Sequence, residues 1–298
     1  MIGIITWNIG KGKVQNLFDS FKQKVKRLPD ILVIGLQELP LTTTKTILDN
    51  IQLDGYRLIQ SYLSCFLNFK IGMLIYEKVF STKVSVVDVR LVASYCYRLT
   101  KGFLIVNLSL STRKNQRQEI VLSTCHFPLK DLDTLKKFYN FFLKKLRKHC
   151  INSENIIVFG DVNSRSELNI KYTKKIPSCL EEVKYDYHHY CQVNNYLEQL
   201  SLDTITFGKF NKKIFKYFMS TDVLKSFNKE FQEKPIKFIP TYKIDPITKK
   251  FSLKNRLAGY PDRILYTGKD IKCTRYDVLK LFENDHFPVF GLFRPFSV

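Results

Sequence analysis

The stretch NIIVFGDVN, residues 155–163, decides the fold, because it is an apolar run that ends in a carboxylate and an amide. Its β-branched and aromatic residues predict a buried strand over Asn155–Asp161. Polar groups at the end of an apolar strand are how a sheet presents a site at its rim. Asp161 and Asn163 are therefore the first candidate functional residues.

The same arrangement, an apolar strand bordered by polar groups at one end, recurs along the whole chain. The polar segments concerned are Thr6-Trp7-Asn8, Gln37-Glu38, Thr124-Cys125-His126, Asp262-Arg263 and Asn284-Asp285-His286. Carboxylate, amide and imidazole groups that gather at one rim predict an active site.

Short, mostly β-branched runs bounded by turn residues supply the predicted strands. They are Gly3–Ile9, Ile31–Gln37, Ile71–Tyr76, Val84–Val92, Phe103–Leu110, Glu119–His126, Asn155–Asp161, Arg263–Tyr266 and Val289–Phe293. Several of the connections between them are too short for a crossover helix. This favours antiparallel or mixed sheets with helices on the outside.

The clearest predicted helix runs from Leu132 to about Lys148, where apolar residues recur at i, i+3 and i+4 with lysines opposite. Asp131 is its predicted N-cap. The region Pro177–Lys237 is less regular, and we expect helices and surface loops there, near the rim of the site.

Composition predicts a globular protein with a large positive charge. The 298 residues are 45% hydrophobic and 14% aromatic, which is enough for one large domain or two small ones. Forty-eight basic and 27 acidic residues give a net charge of +21. A field of this sign attracts nucleic acid, anionic membranes or phosphorylated small molecules, and does not choose among them.

The chain is expected to be cytoplasmic, with transient peripheral contact to anionic membranes. Its seven cysteines are odd in number and have no CxxC spacing, which favours a reducing compartment over disulfides or zinc. We find no signal-peptide pattern at the N-terminus and no apolar run near the ~20 residues that span a bilayer. The composition implies no oligomer.

The polar residues at the strand ends suit metal-assisted phosphoester hydrolysis. Mg²⁺ takes oxygen ligands and keeps several waters, so Glu38 and Asn8 could hold it. Asp161 could serve as the base for the attacking water, and Asn163 could hold that water or the phosphate.

Charge that develops on the phosphoryl oxygens needs cationic or donor groups near the metal. His286 and His126 could provide them. A charged histidine needs a carboxylate behind it, for which Asp262 and Asp285 are the candidates.

This ordered set resembles the endonuclease/exonuclease/phosphatase superfamily. The pattern appears as TWN (6–8), QE (37–38), the strand-ending His126, GDxN (160–163) and xDH (284–286). The resemblance implies an α/β (α+β), DNase I-like fold, a four-layer sandwich with two central mixed β-sheets flanked by helices. Because the pattern spans essentially the whole chain, the resemblance also implies a single catalytic domain over 1–298.

The resemblance also implies roles for single residues. By this resemblance, Asn8 and Glu38 bind Mg²⁺, and Asp285 lies in the metal region. In hydrolysis, Asp161 activates water and Asn163 positions it. His286 contacts the scissile phosphate, and Asp262 orients His286.

A second motif resembles the inositol polyphosphate 5-phosphatases. It runs through Phe238-Ile239-Pro240-Thr241-Tyr242-Lys243-Ile244-Asp245, then Lys254-Asn255-Arg256 and Pro261-Asp262-Arg263-Ile264-Leu265. By this resemblance, Tyr242 and Lys243 contact a neighbouring ring phosphate, and Lys101 and Lys254 lie in the same basic pocket. Arg263 is also predicted to bind substrate. A cluster of Lys and Tyr donors suits a substrate with adjacent phosphates.

Several positions depart from the family pattern. Tyr260-Pro261 replaces Trp-Cys, Phe287 replaces a Lys, and Thr100 replaces an Asn. None of these is a predicted metal or water-activating residue, so the departures concern substrate binding.

The preferred hypothesis is a Mg²⁺-dependent 5-phosphatase of phosphoinositides or soluble inositol polyphosphates. The alternatives are a Mg²⁺-dependent nuclease of the same superfamily and a catalytically weak phosphoinositide-binding module. The second motif argues against nucleic acid as the substrate.

Overall fold

The structure, a computed structural model, consists of two stacked β-sheets with helices on their outer faces. It describes residues 1–10, 14, 16–40, 51, 53–64, 69–81, 84–97, 101–112, 116–128, 131–150, 154–164, 192–193, 195–252 and 258–295. Among these residues, no helix is long and apolar enough to cross a membrane.

The first sheet has six strands. They are β1 (Ile2–Asn8), β2 (Ile31–Pro40), β3 (Tyr56–Leu63), β4 (Phe69–Lys78), β12 (Ile271–Val278) and β13 (Val289–Pro295). Their order is β12-β13-β1-β2-β4-β3, and only β1 and β2 are parallel. β1 is buried along its whole length, because both faces of the sheet centre are covered.

The second sheet has five strands. They are β5 (Val84–Tyr97), β6 (Lys101–Thr112), β7 (Arg117–His126), β8 (Ile156–Asp161) and β11 (Asp262–Thr267). Their order is β11-β8-β7-β6-β5, with β7 and β8 as the parallel pair. A small hairpin of β9 (Ile244–Asp245) and β10 (Lys250–Phe251) lies between β8 and β11 in the chain.

The helices complete four layers. In the described part of the chain they include α1 (Leu17–Lys24), α2 (Leu132–His149), α3 (Lys212–Ser220) and α4 (Val223–Phe227), with a 3₁₀ turn at Phe207–Lys209. Residues 192–193 and 195–198 are also helical. α1 packs on the outer face of the first sheet, and α2 and α4 pack on that of the second. The central core fills the space between the sheets. The predicted four-layer sandwich with two mixed sheets is confirmed.

The predicted helix from Leu132 is confirmed as α2. Asp131 caps it, because its carboxylate accepts a hydrogen bond from the Thr134 amide at 2.7 Å. The apolar stripe, including Leu135, Phe138 and Phe142, is buried against the second sheet.

Two strands of the first sheet have no counterpart among the predicted strands. β3 and β12 are the edges of that sheet, and exposed or half-buried positions interrupt both. An edge strand needs fewer apolar residues than a central one, so its sequence signal is weaker. In the region Pro177–Lys237, residues 177–191 and 194 lie outside the described part, and the remainder contains α3 and α4.

Each parallel pair is joined by a crossover that contains a helix, α1 between β1 and β2 and α2 between β7 and β8. The carboxyl ends of these four strands meet at one rim. Asn8 at the end of β1 reaches Asp161 at the end of β8, and Gln37 of β2 reaches Thr124 of β7. The strand ends singled out in the sequence therefore converge.

Candidate active site

Asp161 lies at the centre of the site and is fully buried at the end of β8. The Asn8 side-chain amide donates to its Oδ2 at 2.9 Å, and His126 Nε2 lies 3.3 Å from the same oxygen. The Asn163 backbone amide donates to Oδ1 at 2.9 Å. Burial alone would raise the pKa of Asp161, but His126, His286 and Lys101 outweigh it and lower the pKa. Asp161 is therefore ionised at neutral pH, as a base must be.

His286 and Asp262 form a buried ion pair beside Asp161. Their closest approach is 2.9 Å, from Nδ1 to Oδ2, and Thr241 Oγ1 donates to the same carboxylate at 2.6 Å. Burial opposes charge on the imidazole, but Asp262, Asp161 and Asp285 together raise the pKa of His286 to about 10. His286 therefore stays protonated at neutral pH.

The ionised carboxylate of Asp161 and the protonated imidazole of His286 lie close together. Ligand-type atoms of Asp161, Asp262 and His286 all lie within 4.8 Å of one another. In register, Asp262 is paired directly with Asp161 across β11 and β8, so the sheet itself sets this spacing. A deprotonated carboxylate and a cationic donor at this distance can serve opposite sides of one reacting group.

Glu38 lies on the other side of the site. Its left-handed backbone (φ 57°) falls where the pairing of β2 with β4 shifts register, and such a bulge re-aims a side chain. Its Oε1 lies 3.5 Å from His126 Nε2 and 3.7 Å from Lys101 Nζ. Lys101 also contacts the imidazole of His126. The carboxylate is one-third exposed, so it remains accessible from the rim.

The predicted metal ligands have suitable chemistry for a hard cation. Asn8 Oδ1 accepts from the Gly10 amide at 3.1 Å, and a Cβ placed on Gly10 would lie 3.8 Å from Asp285 Oδ1. Asn8 and Asp285 are therefore neighbours around Gly10, and Glu38 reaches the site through His126. The donors are carboxylate and amide oxygens, which Mg²⁺ and Ca²⁺ prefer.

The segment with Tyr242 and Lys243 is built into the same site. The Tyr242 ring lies against the His286 ring, with centroids 4.4 Å apart. The Phe287 amide donates to the Thr241 carbonyl at 2.9 Å, and the Gly259 amide to that of Tyr242 at 2.7 Å. Tyr242 is nearly covered, and Lys243 next to it is half-buried.

The remaining predicted residues divide into three cases. Asn163 lies in the site, where its Nδ2 donates to the Phe127 carbonyl at 2.6 Å. Lys254 lies outside the described residues. Arg263 requires a correction: it is buried and paired with Asp222 at 2.9 Å and with Glu233, away from the rim. The predicted substrate contact by Arg263 is wrong, because its side chain leaves the strand on the face opposite to that of Asp262.

The sequence reasoning missed residues that hold the site together. Gln37 bonds to Thr6 within the first sheet and to Thr124 of the second, both at 3.2 Å. Trp7 Nε1 donates to Asn284 Oδ1 at 3.0 Å and to the His286 carbonyl at 2.9 Å. The motifs already noted contain Gln37, Trp7 and Asn284. Their places next to the candidate ligands in those motifs are the sequence signal that could have identified them.

Two departures from the family pattern are accounted for by packing. Phe287 is fully buried, and its ring meets Phe282 edge to face at 5.2 Å. Tyr260 is also buried, and its hydroxyl donates to the Phe238 carbonyl at 3.1 Å. Both residues belong to the central core. Thr100 lies outside the described residues.

Curated relatives share part of this chain. An inositol-1,4,5-trisphosphate 5-phosphatase of Schizosaccharomyces pombe is 28% identical over 145 residues, 48% of this chain and 11% of the relative. A polyphosphatidylinositol phosphatase of Saccharomyces cerevisiae is 27% identical over 167 residues, 55% of this chain and 13% of the relative. The matched part is thus a small fraction of each of these relatives.

Solved structures share the fold over nearly the whole chain. The inositol polyphosphate 5-phosphatase domain of SpSynaptojanin, solved with inositol (1,4)-bisphosphate and a calcium ion, matches with a TM-score of 0.66 and 19% identity, covering 98% of this chain and 83% of that one. A ferrous NO complex of Cimex nitrophorin matches with a TM-score of 0.63 and 17% identity, covering 99% and 98%. At such identities the likeness concerns the fold.

The family comparison covers the chain from the first strand to the last. The model described as endonuclease/exonuclease/phosphatase family 2 matches residues 5–292, which include every candidate site residue from Asn8 to His286. The chain belongs to the endonuclease/exonuclease/phosphatase family 2.

Proposed function

We propose that the chain hydrolyses the 5-phosphate of phosphoinositides or soluble inositol polyphosphates in a Mg²⁺-dependent reaction. One observation carries the proposal: His286 contacts both Asp262 and the Tyr242 ring. The hydrolytic cluster and the inositide-type motif are therefore a single site. The names of the two yeast relatives, an inositol-1,4,5-trisphosphate 5-phosphatase and a polyphosphatidylinositol phosphatase, support the same substrate class.

In the proposed reaction, water attacks phosphorus and the bond from phosphorus to the ring oxygen breaks. The ring oxygen takes a proton from solvent and leaves as a hydroxyl group. Asp161 takes the proton of the attacking water, for which its ionised state and Asn163 beside it are suited. Protonated His286, held by Asp262, donates to a phosphoryl oxygen as charge develops there. Glu38, Asn8 and Asp285 would hold Mg²⁺, which supplies Lewis-acid stabilisation of that charge when bound.

Recognition of the neighbouring ring phosphate is assigned to the basic side of the site. Tyr242 and Lys243 are the proposed contacts. Lys101 is proposed with them; its ammonium group contacts His126 and lies 3.7 Å from Glu38 Oε1. Lys254 is retained as a proposed contact on the motif alone. Charge-assisted hydrogen bonds from these donors would favour substrates with adjacent phosphates.

A phosphate-release panel tests the proposal against its two alternatives. Purified protein with Mg²⁺ is given phosphatidylinositol 4,5-bisphosphate vesicles, inositol 1,4,5-trisphosphate, inositol 1,4-bisphosphate without a 5-phosphate, plasmid DNA and an abasic duplex. We expect phosphate release from one or both of the 5-phosphorylated substrates, and none from inositol 1,4-bisphosphate. Cleavage of DNA without phosphate release would favour a nuclease. Inositide binding without turnover would favour a binding module.

The cellular setting is also proposed here. The net charge of +21 suits transient electrostatic contact with the anionic cytoplasmic leaflet. A fluorescently tagged chain should therefore distribute between cytoplasm and inner membrane surface, and exclusive nuclear or luminal location would contradict this.

A further inference from the structure

A buried ionic network lies behind the active site, on the outer face of the second sheet. Arg263 follows Asp262 on β11, and its guanidinium donates to Asp222 Oδ2 at 2.9 Å and to Glu233 Oε1 at 2.6 Å. Tyr276 adds a hydrogen bond to the same Glu233 oxygen at 2.9 Å. Arg263 and Asp222 are both more than nine-tenths buried, so solvent screens this pair little.

The network reaches the segment that carries the proposed base. Asp222 is the N-cap of α4, and its Oδ1 accepts hydrogen bonds from the Leu224 amide and from the Ser164 hydroxyl. Ser164 Oγ in turn accepts from the Leu224 amide at 2.9 Å. Ser164 directly follows Asn163 in the segment 161–164, which we call the catalytic loop.

The catalytic loop has a conformation that needs such support. Asn163 has a left-handed backbone with φ 49°. The loop is held on one side by the Val162 amide, which donates to the Pro261 carbonyl at 2.9 Å. Its other end is fixed by Ser164 on Asp222. Backbone in a sparsely populated region persists where surrounding contacts fix it.

We propose that Ser164 and Asp222 are positioning residues for the reaction, acting with Arg263 to hold Asp161 and Asn163 in register with Asp262. β11 thus serves the site from both faces: Asp262 orients His286 on one face, and Arg263 braces the catalytic loop from the other. The expected effect on the reaction rate rests on the proposed function. The support of the catalytic loop does not depend on which substrate is hydrolysed.

Ser164→Ala is the most informative variant, because it removes one neutral hydroxyl and leaves the ion pair intact. Misplacing a catalytic group by about 1 Å costs on the order of 10²-fold in rate. We expect kcat to fall at least about tenfold, with KM changed less than about twofold because Tyr242 and Lys243 are untouched. The matched control is Ser123→Ala, which removes a buried hydroxyl bonded to the Leu104 carbonyl within the same sheet.

A double-variant comparison separates positioning from general loss of stability. If Ser164 and Asp222 act through one contact, Asp222→Asn combined with Ser164→Ala should lower kcat little more than the stronger single variant. If the fold-losses of kcat in the two single variants multiply in the double variant, the two residues do not act through one contact. Equal kcat in Ser164→Ala and Ser123→Ala, at matched thermal midpoints, would overturn the proposal.

Hydrogen exchange tests the proposal independently of the substrate. In Ser164→Ala, amides of the catalytic loop should exchange faster while those of β8 residues 156–160 keep their protection; Ser123→Ala should leave the loop unchanged. Unchanged loop exchange in Ser164→Ala would overturn the bracing role. If the wild-type chain releases no phosphate from any inositide, the proposed function fails, and this exchange result alone decides the bracing role.

Discussion

His286 illustrates how a few neighbours set the protonation state of a buried side chain. It is buried, yet it keeps its proton because Asp262 bonds to Nδ1 and Asp161 and Asp285 add negative charge. Tyr242 covers one side of the ring. The protonation state of a buried side chain therefore depends on the sign and distance of each neighbouring charge more than on the residue type.

Replacing Asp262 should lower the pKa of His286. In Asp262→Asn the pKa of His286 should fall well below about 10, because burial still disfavours the charged ring and only Asp161 and Asp285 remain to oppose it. The wild-type pair stabilises the fold fully below the ordinary histidine pKa and loses this contribution as pH rises through about 10. NMR titration of the imidazole measures the change. Asp285→Asn should lower the pKa less, and an unchanged pKa in Asp262→Asn would contradict the assignment.

Asp161→Asn should abolish most of the phosphate release while leaving substrate binding in place. Loss of a general base costs about 10²–10⁴-fold in rate. We expect this fall in kcat with little change in KM. Asp270→Asn, at an exposed turn, is the control and should behave as wild type. An Asp161→Asn enzyme as fast as wild type would refute the assigned base.

Lys243→Ala should distinguish substrates by the neighbouring phosphate. We expect KM to rise more for an inositide with 4- and 5-phosphates than for one with a lone 5-phosphate, because the variant loses a charge-assisted hydrogen bond only with the former. Steady-state kinetics on both substrates measure the ratio. Equal increases would reject Lys243 as the ligand of the neighbouring phosphate.

At the scale of elements, strand ends and their backbone geometry build the site. β8 and β11 pair so that Asp161 faces Asp262, and Glu38 projects from a bulge in β2. Gly160 has φ 149°, and a Cβ there would lie 1.9 Å from the Cys125 carbonyl oxygen. The glycine of the GDxN motif is therefore required by the close approach of β7.

Gly160→Ala should destabilise the fold by about 3 kcal/mol, since the added methyl group must displace the β7 backbone. Gly208→Ala is the matched control, because a Cβ there meets no atom within 4 Å. Chemical denaturation followed by circular dichroism measures both. Similar midpoints for the two variants would show that β7 tolerates the methyl group and would contradict the close packing.

At the scale of the whole molecule, the fold alone does not define activity. The same sandwich occurs in the inositol polyphosphate 5-phosphatase domain of SpSynaptojanin and in a nitrophorin solved as a ferrous NO complex. What argues for hydrolysis here is the cluster of Asp161, Asp262 and His286 at the rim. The net charge of +21 bears on which partners the chain attracts, and it does not determine the fold.

Vesicle binding should depend on salt. Binding to vesicles that contain phosphatidylserine should weaken strongly as ionic strength rises from about 0.05 M to about 0.5 M, where the screening length becomes only a few ångströms. Sedimentation with vesicles measures it, and neutral phosphatidylcholine vesicles serve as the control. Salt-insensitive binding would point to an apolar insertion and would contradict the electrostatic account.

The sequence by itself determined the central strands, the helix α2 and the polar residues at strand ends, because buried strands and amphipathic helices have strong periodic signals. It also placed Asn8, Glu38, Asp161 and His286 in one ordered set. The edge strands β3 and β12 were not predicted, because exposed positions interrupt their apolar pattern.

Only the tertiary structure decided what each polar side chain contacts. Asp262 and Arg263 are neighbours in sequence, yet Asp262 bonds to His286 and Arg263 is buried with Asp222 and Glu233. Alternation along a strand separates the two residues onto opposite faces, but it does not say which face holds the site. That choice depends on how the two sheets stack, which brings residues from distant parts of the chain to one rim.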